Sequence, residues 1–400
     1  MQTQLAEPFK KIPEAEEIKE ILQACVHCGF CTAVCPTYQL SGDELDGPRG
    51  RIYLLKQMLQ GETVTGLTQQ HLDRCLSCRS CETACPSGVK YGRLRDIGQR
   101  LLDQKVRRPI LQDIQRFLIK QIFPYRQRFN AVIRLARLVK PVLPSHLQQK
   151  IPAKSIAPRW PEIRHKRKML IVTGCVQPVL APEIDVATAK VLDKLSISLV
   201  KIDSVSCCGG LNYHLSDHQQ AKAFAKNYID ACWPFIEQGV EAVVSTASGC
   251  GVMIKEYAEL LQYDEQYAKK AVKFSSLVKD ISEILGHEDL VGFKDKNRPK
   301  IAFQAPCTLQ HGQKLTGVVE NILTRAGFDL VDVENNHLCC GSAGVYSILQ
   351  PVLSGQLLEN KLESLQSNAP ELIVTANIGC LSHLQTKSTV KVQHWIELLA

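Results

Sequence analysis

The stretch CVHCGFCTAVCP (residues 25–36) decides how this chain is read, and CLSCRSCETACP (residues 75–86) repeats it. Both follow C-x2-C-x2-C-x3-C-P, the spacing that holds a pair of iron–sulfur clusters. Three closely spaced thiolates wrap one face of a small cluster, and the fourth, set before proline, reaches across to the other. The first cluster is therefore expected on Cys25, Cys28, Cys31 and Cys85, and the second on Cys75, Cys78, Cys81 and Cys35. Zinc usually takes two separated cysteine pairs or a Cys/His set. Disulfide frameworks belong to small secreted chains, and this one has 400 residues. Two [4Fe-4S] clusters do one-electron chemistry, so the chain is expected to carry electrons and to hold no catalytic residue of its own.

The composition fits a reducing compartment. Seventeen cysteines occur with a polar N-terminus that lacks the apolar run of a secretion signal. No apolar stretch is long enough to predict a transmembrane helix. The expected location is the cytoplasm, peripheral on the inner face of the cell membrane. The net charge of +8 is concentrated: Lys105–Lys168 holds 17 Lys and Arg against Asp113 and Glu162, while the rest of the chain is net acidic. In the same segment Ile110, Ile114, Phe117, Leu118 and Ile122, then Val132, Leu135, Leu138 and Val139, recur at helical spacing. A basic amphipathic stretch suits an anionic membrane or an acidic partner. The plainer reading is a linker whose apolar face packs on its own domain. No nucleic-acid motif accompanies the charge, so no nucleic-acid partner is expected.

The fold class expected is α+β with several domains. Residues 1–104 read as a mainly helical ferredoxin-like domain, with helices over Ala15–Ala24, Arg51–Gln60 and Thr68–Arg74. Pro36 and Pro86 are expected to stop helices. Residues 105–166 read as a basic linker rich in proline (Pro141, Pro144, Pro152, Pro158, Pro161). Residues 167–297 and 298–400 read as two α/β lobes with parallel sheets, from apolar runs at Met169–Thr173, Ile197–Ile202, Ala242–Thr246, Ile301–Phe303, Phe328–Val333 and Leu372–Thr375.

Cysteines mark the two lobes as a repeat. Cys175, Cys207, Cys208 and Cys250 return as Cys307, Cys339, Cys340 and Cys380, at offsets of 132, 132, 132 and 130 residues. Each lobe reads strand–Cys, helix, strand–Cys-Cys-Gly, helix, strand–Cys. That order places the thiols at the carboxyl ends of the strands, where open α/β sheets build their sites. These eight cysteines are candidates for further clusters or for a quinone pocket. Cys232 has no counterpart and reads as an ordinary buried cysteine. Arg79, inside the second motif, is either a charge that favours a reduced cluster or a solvated surface residue. Asp43, Glu44, Asp46, Arg49 and Arg51 form a docking loop or an internal ion-pair cluster.

A doubled ferredoxin motif followed by two Cys-Cys-Gly lobes resembles the iron–sulfur subunits of membrane-associated dehydrogenases over essentially the whole chain. That family includes subunits of glycolate oxidase, of lactate oxidation, of anaerobic glycerol-3-phosphate dehydrogenase and of heterodisulfide reductase. Residues 25–40, 42–54, 73–89, 246–251, 307–311 and 337–344 look like the glycolate oxidase branch. Heterodisulfide reductase relatives carry a further cysteine three residues after the last one of each lobe. This chain has Met253 and His383 there, which puts the non-cubane clusters of those relatives in doubt. His383 is either a nitrogen ligand or an ordinary hydrogen-bonding residue.

The resemblance implies flavoprotein-like partner subunits that carry FAD and oxidise glycolate to glyoxylate, with the chain relaying electrons to a quinone or another membrane acceptor. No G-x-G-x-x-G that opens a helix after a strand is present, since Gly249-Cys250-Gly251 stops short, so no flavin or substrate site is expected here. Alternatives are the equivalent subunit of a lactate or glycerol-3-phosphate dehydrogenase, a heterodisulfide-reductase-like reductase, or a scaffold whose clusters only hold subunits together.

Overall fold

Apolar residues at i, i+3 and i+4 turn the first hundred residues into short helices strung around the two cysteine runs. A computed structural model describes residues 3–142, 144, 148, 151, 153, 155, 156, 158–293 and 299–400. Ala15–Ala24 buries Ile18, Ile21 and Leu22 and delivers the chain into Cys25. Helices Pro48–Leu59, Gly66–Asp73 and Tyr91–Lys105 supply Leu55, Met58, Leu59, Leu72, Leu94 and Ile97 to the same core. Pro36 corrects the sequence reading. It opens the helix Pro36–Ser41 at the first position, where its missing N–H has no partner to lose, and Cys35 is the N-cap. Pro86 leads into a turn.

Beyond residue 166 the chain builds two parallel sheets of the same design. The first contains β1 (Arg167–Val172), β2 (Ile197–Ile202), β3 (Val243–Ser245) and β4 (Val278–Asp280), in the order β2-β1-β3-β4. The second contains β5 (Lys300–Gln304), β6 (Asp329–Leu330), β7 (Leu372–Thr375) and β8 (Val392–His394), in the order β6-β5-β7-β8. The fold is therefore α+β, a helical N-terminal region followed by two lobes with parallel sheets. Strands β4 and β8 escaped the sequence reading because their residues, Val-Lys-Asp and Val-Gln-His, make no apolar run. The expected strand Phe328–Val333 is only Asp329–Leu330.

One hydrophobic core crosses between the lobes, joining Ile171, Leu199 and Val244 to Ile301, Phe303, Val374 and the buried Trp395. Polar contacts at the strand ends repeat the join. His394 Nε2 lies 2.9 Å from Thr246 O, and Ser248 Oγ lies 2.7 Å from Thr308 Oγ1.

The basic segment forms two helices, Ile110–Ile122 and Arg126–Val139. Their apolar stripe is not packed on the chain: only Ile119 and Phe129 are buried. Ile110, Leu111, Ile114, Phe117, Leu118, Val132, Leu135, Leu138 and Val139 are exposed. Among the described residues no helix is long and apolar enough to cross a membrane. Pro152 of the proline run and the expected lobe boundary at 297/298 lie outside the described residues.

Candidate functional site

The ferredoxin-like region contains two cavities, and the eight motif cysteines divide between them. Cys25, Cys28, Cys31 and Cys85 line one. Cys35, Cys75, Cys78 and Cys81 line the other, and Cys81 also borders the first. The fourth cysteine of each run has crossed to the other run's cavity. Each C-x2-C loop turns through two left-handed residues: His27 and Gly29 in the first, Ser77 and Arg79 in the second. That backbone swings successive thiols to one side. Glycine adopts it freely at Gly29, while Arg79 does so at a cost of about 1–2 kcal/mol. Arg79 is held there by a bidentate ion pair with Glu256 of the first lobe, so it is not a solvated surface residue.

The cavities differ in setting. Cys28 is exposed, and beside it Val26 and Phe30 are 67% and 65% exposed. In the second cavity burial pushes the Cys78 and Cys81 thiols well above the ordinary range. Arg51, Arg79 and Arg95 line that cavity. Arg51 Nη2 and Arg95 Nε are buried without a hydrogen-bond partner. Orphaned cationic donors beside four thiols fit an anionic metal–sulfur group, whose sulfurs accept such bonds. Ser77 N–H and Tyr91 Oη–H already point at Cys75 Sγ, at 3.4 and 3.6 Å.

The charged loop resolves into two parts. Arg49 and Glu44 pair at the surface, whereas Asp46 is buried and meets His71, Arg74 and Arg51 at 2.9, 2.7 and 3.6 Å. Asp43, Asp46 and His71 come close enough to hold a cation. Both Asp46 oxygens are already taken by His71 and Arg74, so the group reads as an ion-pair cluster.

In each lobe the four repeat cysteines meet beyond the strand ends, at the point where the order turns from β2-β1 to β3. Cys307 Sγ lies 3.9 Å from Cys339 Sγ. Cys208, hydrogen-bonded by the thiols of Cys207 and Cys250, is held well below the ordinary thiol range. Cys339 and Cys380 do the same to Cys340, and His383 adds to the effect. A thiolate is the form that ligates metal. The glycine after each pair is obligatory. Gly209 and Gly341 have φ of 83° and 86°, and an added Cβ would come 2.9 Å from Ala221 O and 2.7 Å from Ser354 O. Cys232 is buried in an apolar cluster, which pushes its thiol up to about 12.

A profile described as a 4Fe-4S dicluster domain matches residues 21–89, and one described as a cysteine-rich domain matches 169–255 and 301–385. The "Glycolate oxidase iron-sulfur subunit" of Escherichia coli (strain K12) is 51% identical over 400 residues, 100% of this chain and 98% of that protein. The chain belongs to the glycolate oxidase iron–sulfur subunit family. A "Probable glycolate oxidase iron-sulfur subunit" of Bacillus subtilis (strain 168) is 29% identical over 90% of this chain and 88% of its own length. A "Lactate utilization protein A" of an Exiguobacterium species is 26% identical, covering 58% of this chain and 95% of its own length.

Several residues of this family member lay outside the sequence reading. Arg95 and Tyr91 line the second cavity from helical positions, and Glu256 of the first lobe holds Arg79 beside it; no local spacing marks any of them. Cys78 packs against a group that contains Cys307, Cys339 and Tyr346 of the second lobe, a neighbourhood only the tertiary fold creates. Lys361 sits inside the second lobe. Burial pushes its ammonium down while the four lobe thiols push it back up. A signal for it did exist: Leu358, Lys361, Leu362 and Leu365 share one apolar helix face, where a lysine is out of place. His383 bonds Ser354 Oγ at 3.1 Å.

Proposed function

We propose that this chain is the electron-relay subunit of a flavin-dependent glycolate dehydrogenase, which accepts electrons from flavin-bearing partner subunits and passes them toward a quinone. The observation that carries the reading is the division of eight thiols into two adjacent four-thiol cavities, the first of which reaches the surface at the exposed Cys28. [4Fe-4S] clusters held there would supply one-electron steps, splitting the two electrons of glycolate oxidation. Cys25, Cys28, Cys31 and Cys85 would hold the first cluster, and Cys75, Cys78, Cys81 and Cys35 the second. Val26 and Phe30, apolar and exposed beside Cys28, form a face for the partner that delivers electrons. Arg51 and Arg95 offer unpaired donors to the second cluster and favour its reduced state. Glycolate is preferred to lactate because the lactate-utilization relative covers little more than half of the chain.

Anaerobic addition of glycolate to the assembled complex should reduce both clusters, read by EPR, and quinone should reoxidise them. Glycolate turnover with clusters that stay oxidised would overturn the relay in favour of a scaffold.

The two basic helices support a peripheral place on an anionic lipid surface. Exposed Leu135 and Leu138 lie on the same helix as exposed Arg134, and apolar burial plus cationic attraction is how such helices bind. Arg137 is less free, since its guanidinium bonds Ala153 O. The double substitution Leu135→Glu and Leu138→Glu should move the intact complex into the soluble fraction. Retention on the membrane, or loss of a partner subunit instead, would assign this face to another protein.

A further inference from the structure

The short helix Ser80–Thr83 serves both cavities. Cys81 within it lines the second and borders the first, and Cys85 just beyond it lines the first. A shift of this one turn moves thiols in both sites. A single helical turn is not stable by itself, so contacts from outside decide where it sits.

Tethers reach it from three parts of the molecule. Within the ferredoxin-like region, Gly92 N–H donates to Glu82 Oε1 at 2.5 Å. From the first lobe, Glu256 Oε2 accepts from Arg79 Nη2 at 2.9 Å, and Arg79 is the N-cap of the helix. From the second lobe, His311 Nδ1 lies 3.0 Å from Thr83 Oγ1, at the other end of the helix. His311 is 7% exposed, and its Nε2 lies 3.0 Å from the carbonyl oxygen of His337. Burial disfavours the charged ring and pushes its pKa down. A carbonyl only accepts, so Nε2 carries the proton of the neutral ring, and Nδ1 is left to accept the Thr83 O–H.

Neither duplication in the chain accounts for this link. An offset of 132 residues places Val179 and Val205 of the first lobe opposite His311 and His337 of the second. Two residues after the third cysteine of each run, the first run has Ala33 where the second has Thr83. Valine and alanine side chains make no hydrogen bond, so the contact is particular to the second run and the second lobe.

We propose that Glu256 and His311 are positioning residues for the two clusters: one from each lobe, they clamp the helix Ser80–Thr83 at its two ends and so fix the separation of the clusters. The lobes then act on electron transfer through their grip on Cys81 and Cys85, whatever their own thiols hold. The proposal rests on the two-cluster reading.

The test needs neither glycolate nor partner subunits. Full-length chain, purified anaerobically, is reduced with dithionite, and EPR reads the spin–spin splitting between the two reduced clusters, which falls steeply with their separation. Thr83→Val removes one hydroxyl at an exposed position. It should lose the wild-type splitting while keeping the wild-type iron content. His311→Phe should lose the splitting to the same extent, and the double variant no further, because each change removes the same bond. Thr83→Ser, which keeps the hydroxyl, should retain the splitting. Glu256→Ala should lose it from the other end of the helix. A wild type without splitting would overturn the two-cluster reading underneath. Wild-type splitting in Thr83→Val or Glu256→Ala, or a double variant changed further than either single one, would overturn the clamp alone.

Discussion

Cys85→Ser should extinguish the cluster of the first motif, and Cys35→Ser that of the second. This crossed outcome is expected because Cys85 lines the cavity of Cys25, Cys28 and Cys31, while Cys35 lines that of Cys75, Cys78 and Cys81. Each variant should lose about four irons. Cys85→Ser should match Cys28→Ser in its EPR spectrum, and Cys35→Ser should match Cys78→Ser. All four should stop glycolate-driven quinone reduction, since either gap breaks a series path. If Cys85→Ser resembled Cys78→Ser instead, each run would hold its own cluster and the crossed assignment would fall.

The second large effect is on stability. Asp46→Ala should cost about 3–5 kcal/mol, the scale for stranding a buried charge. Asp46 is 1% exposed and answers His71, Arg74 and the equally buried Arg51. Its backbone carbonyl accepts Thr37 Oγ1 at 2.7 Å and faces Cys35 Sγ at 3.8 Å. Losing the carboxylate therefore loosens the loop that seats Cys35. A denaturant midpoint should fall accordingly, with faster bleaching of the second cluster. Asp46→Asn, which keeps hydrogen bonds but not charge, should fall between variant and wild type. A midpoint within experimental error of the wild type would make the cluster of charges incidental.

The polar loop at 43–51 shows where sequence reading stopped. Its composition allowed a docking surface or an internal network, and the structure divides it into two ion-pair groups, Glu44–Arg49 at the surface and Asp46–Arg51 inside. Burial depends on what packs above, and Arg74 and His71 arrive from a different helix end. The basic helices show the reverse case. Their amphipathic period was plain, but whether the apolar stripe met the chain's own core depended on the space left by the two lobes. The stripe stays exposed. Arg79 was left open and Lys361 was missed for one shared reason: Glu256, which holds Arg79, lies in another domain, and Asn335 and Asn336, whose carbonyls Lys361 bonds, lie on a distant segment.

Spacing along the chain was enough to determine the two cysteine runs, the duplication of the lobes and the positions of the thiols beyond the strands. Those features are local, set by three-residue steps and by strand-then-turn order that a linear pattern records. Only the tertiary structure decided that the first cavity reaches the surface at Cys28, which arginines line the second, and that Cys78 meets the second lobe. Those are contacts between segments far apart in sequence, chosen by the packing of whole surfaces.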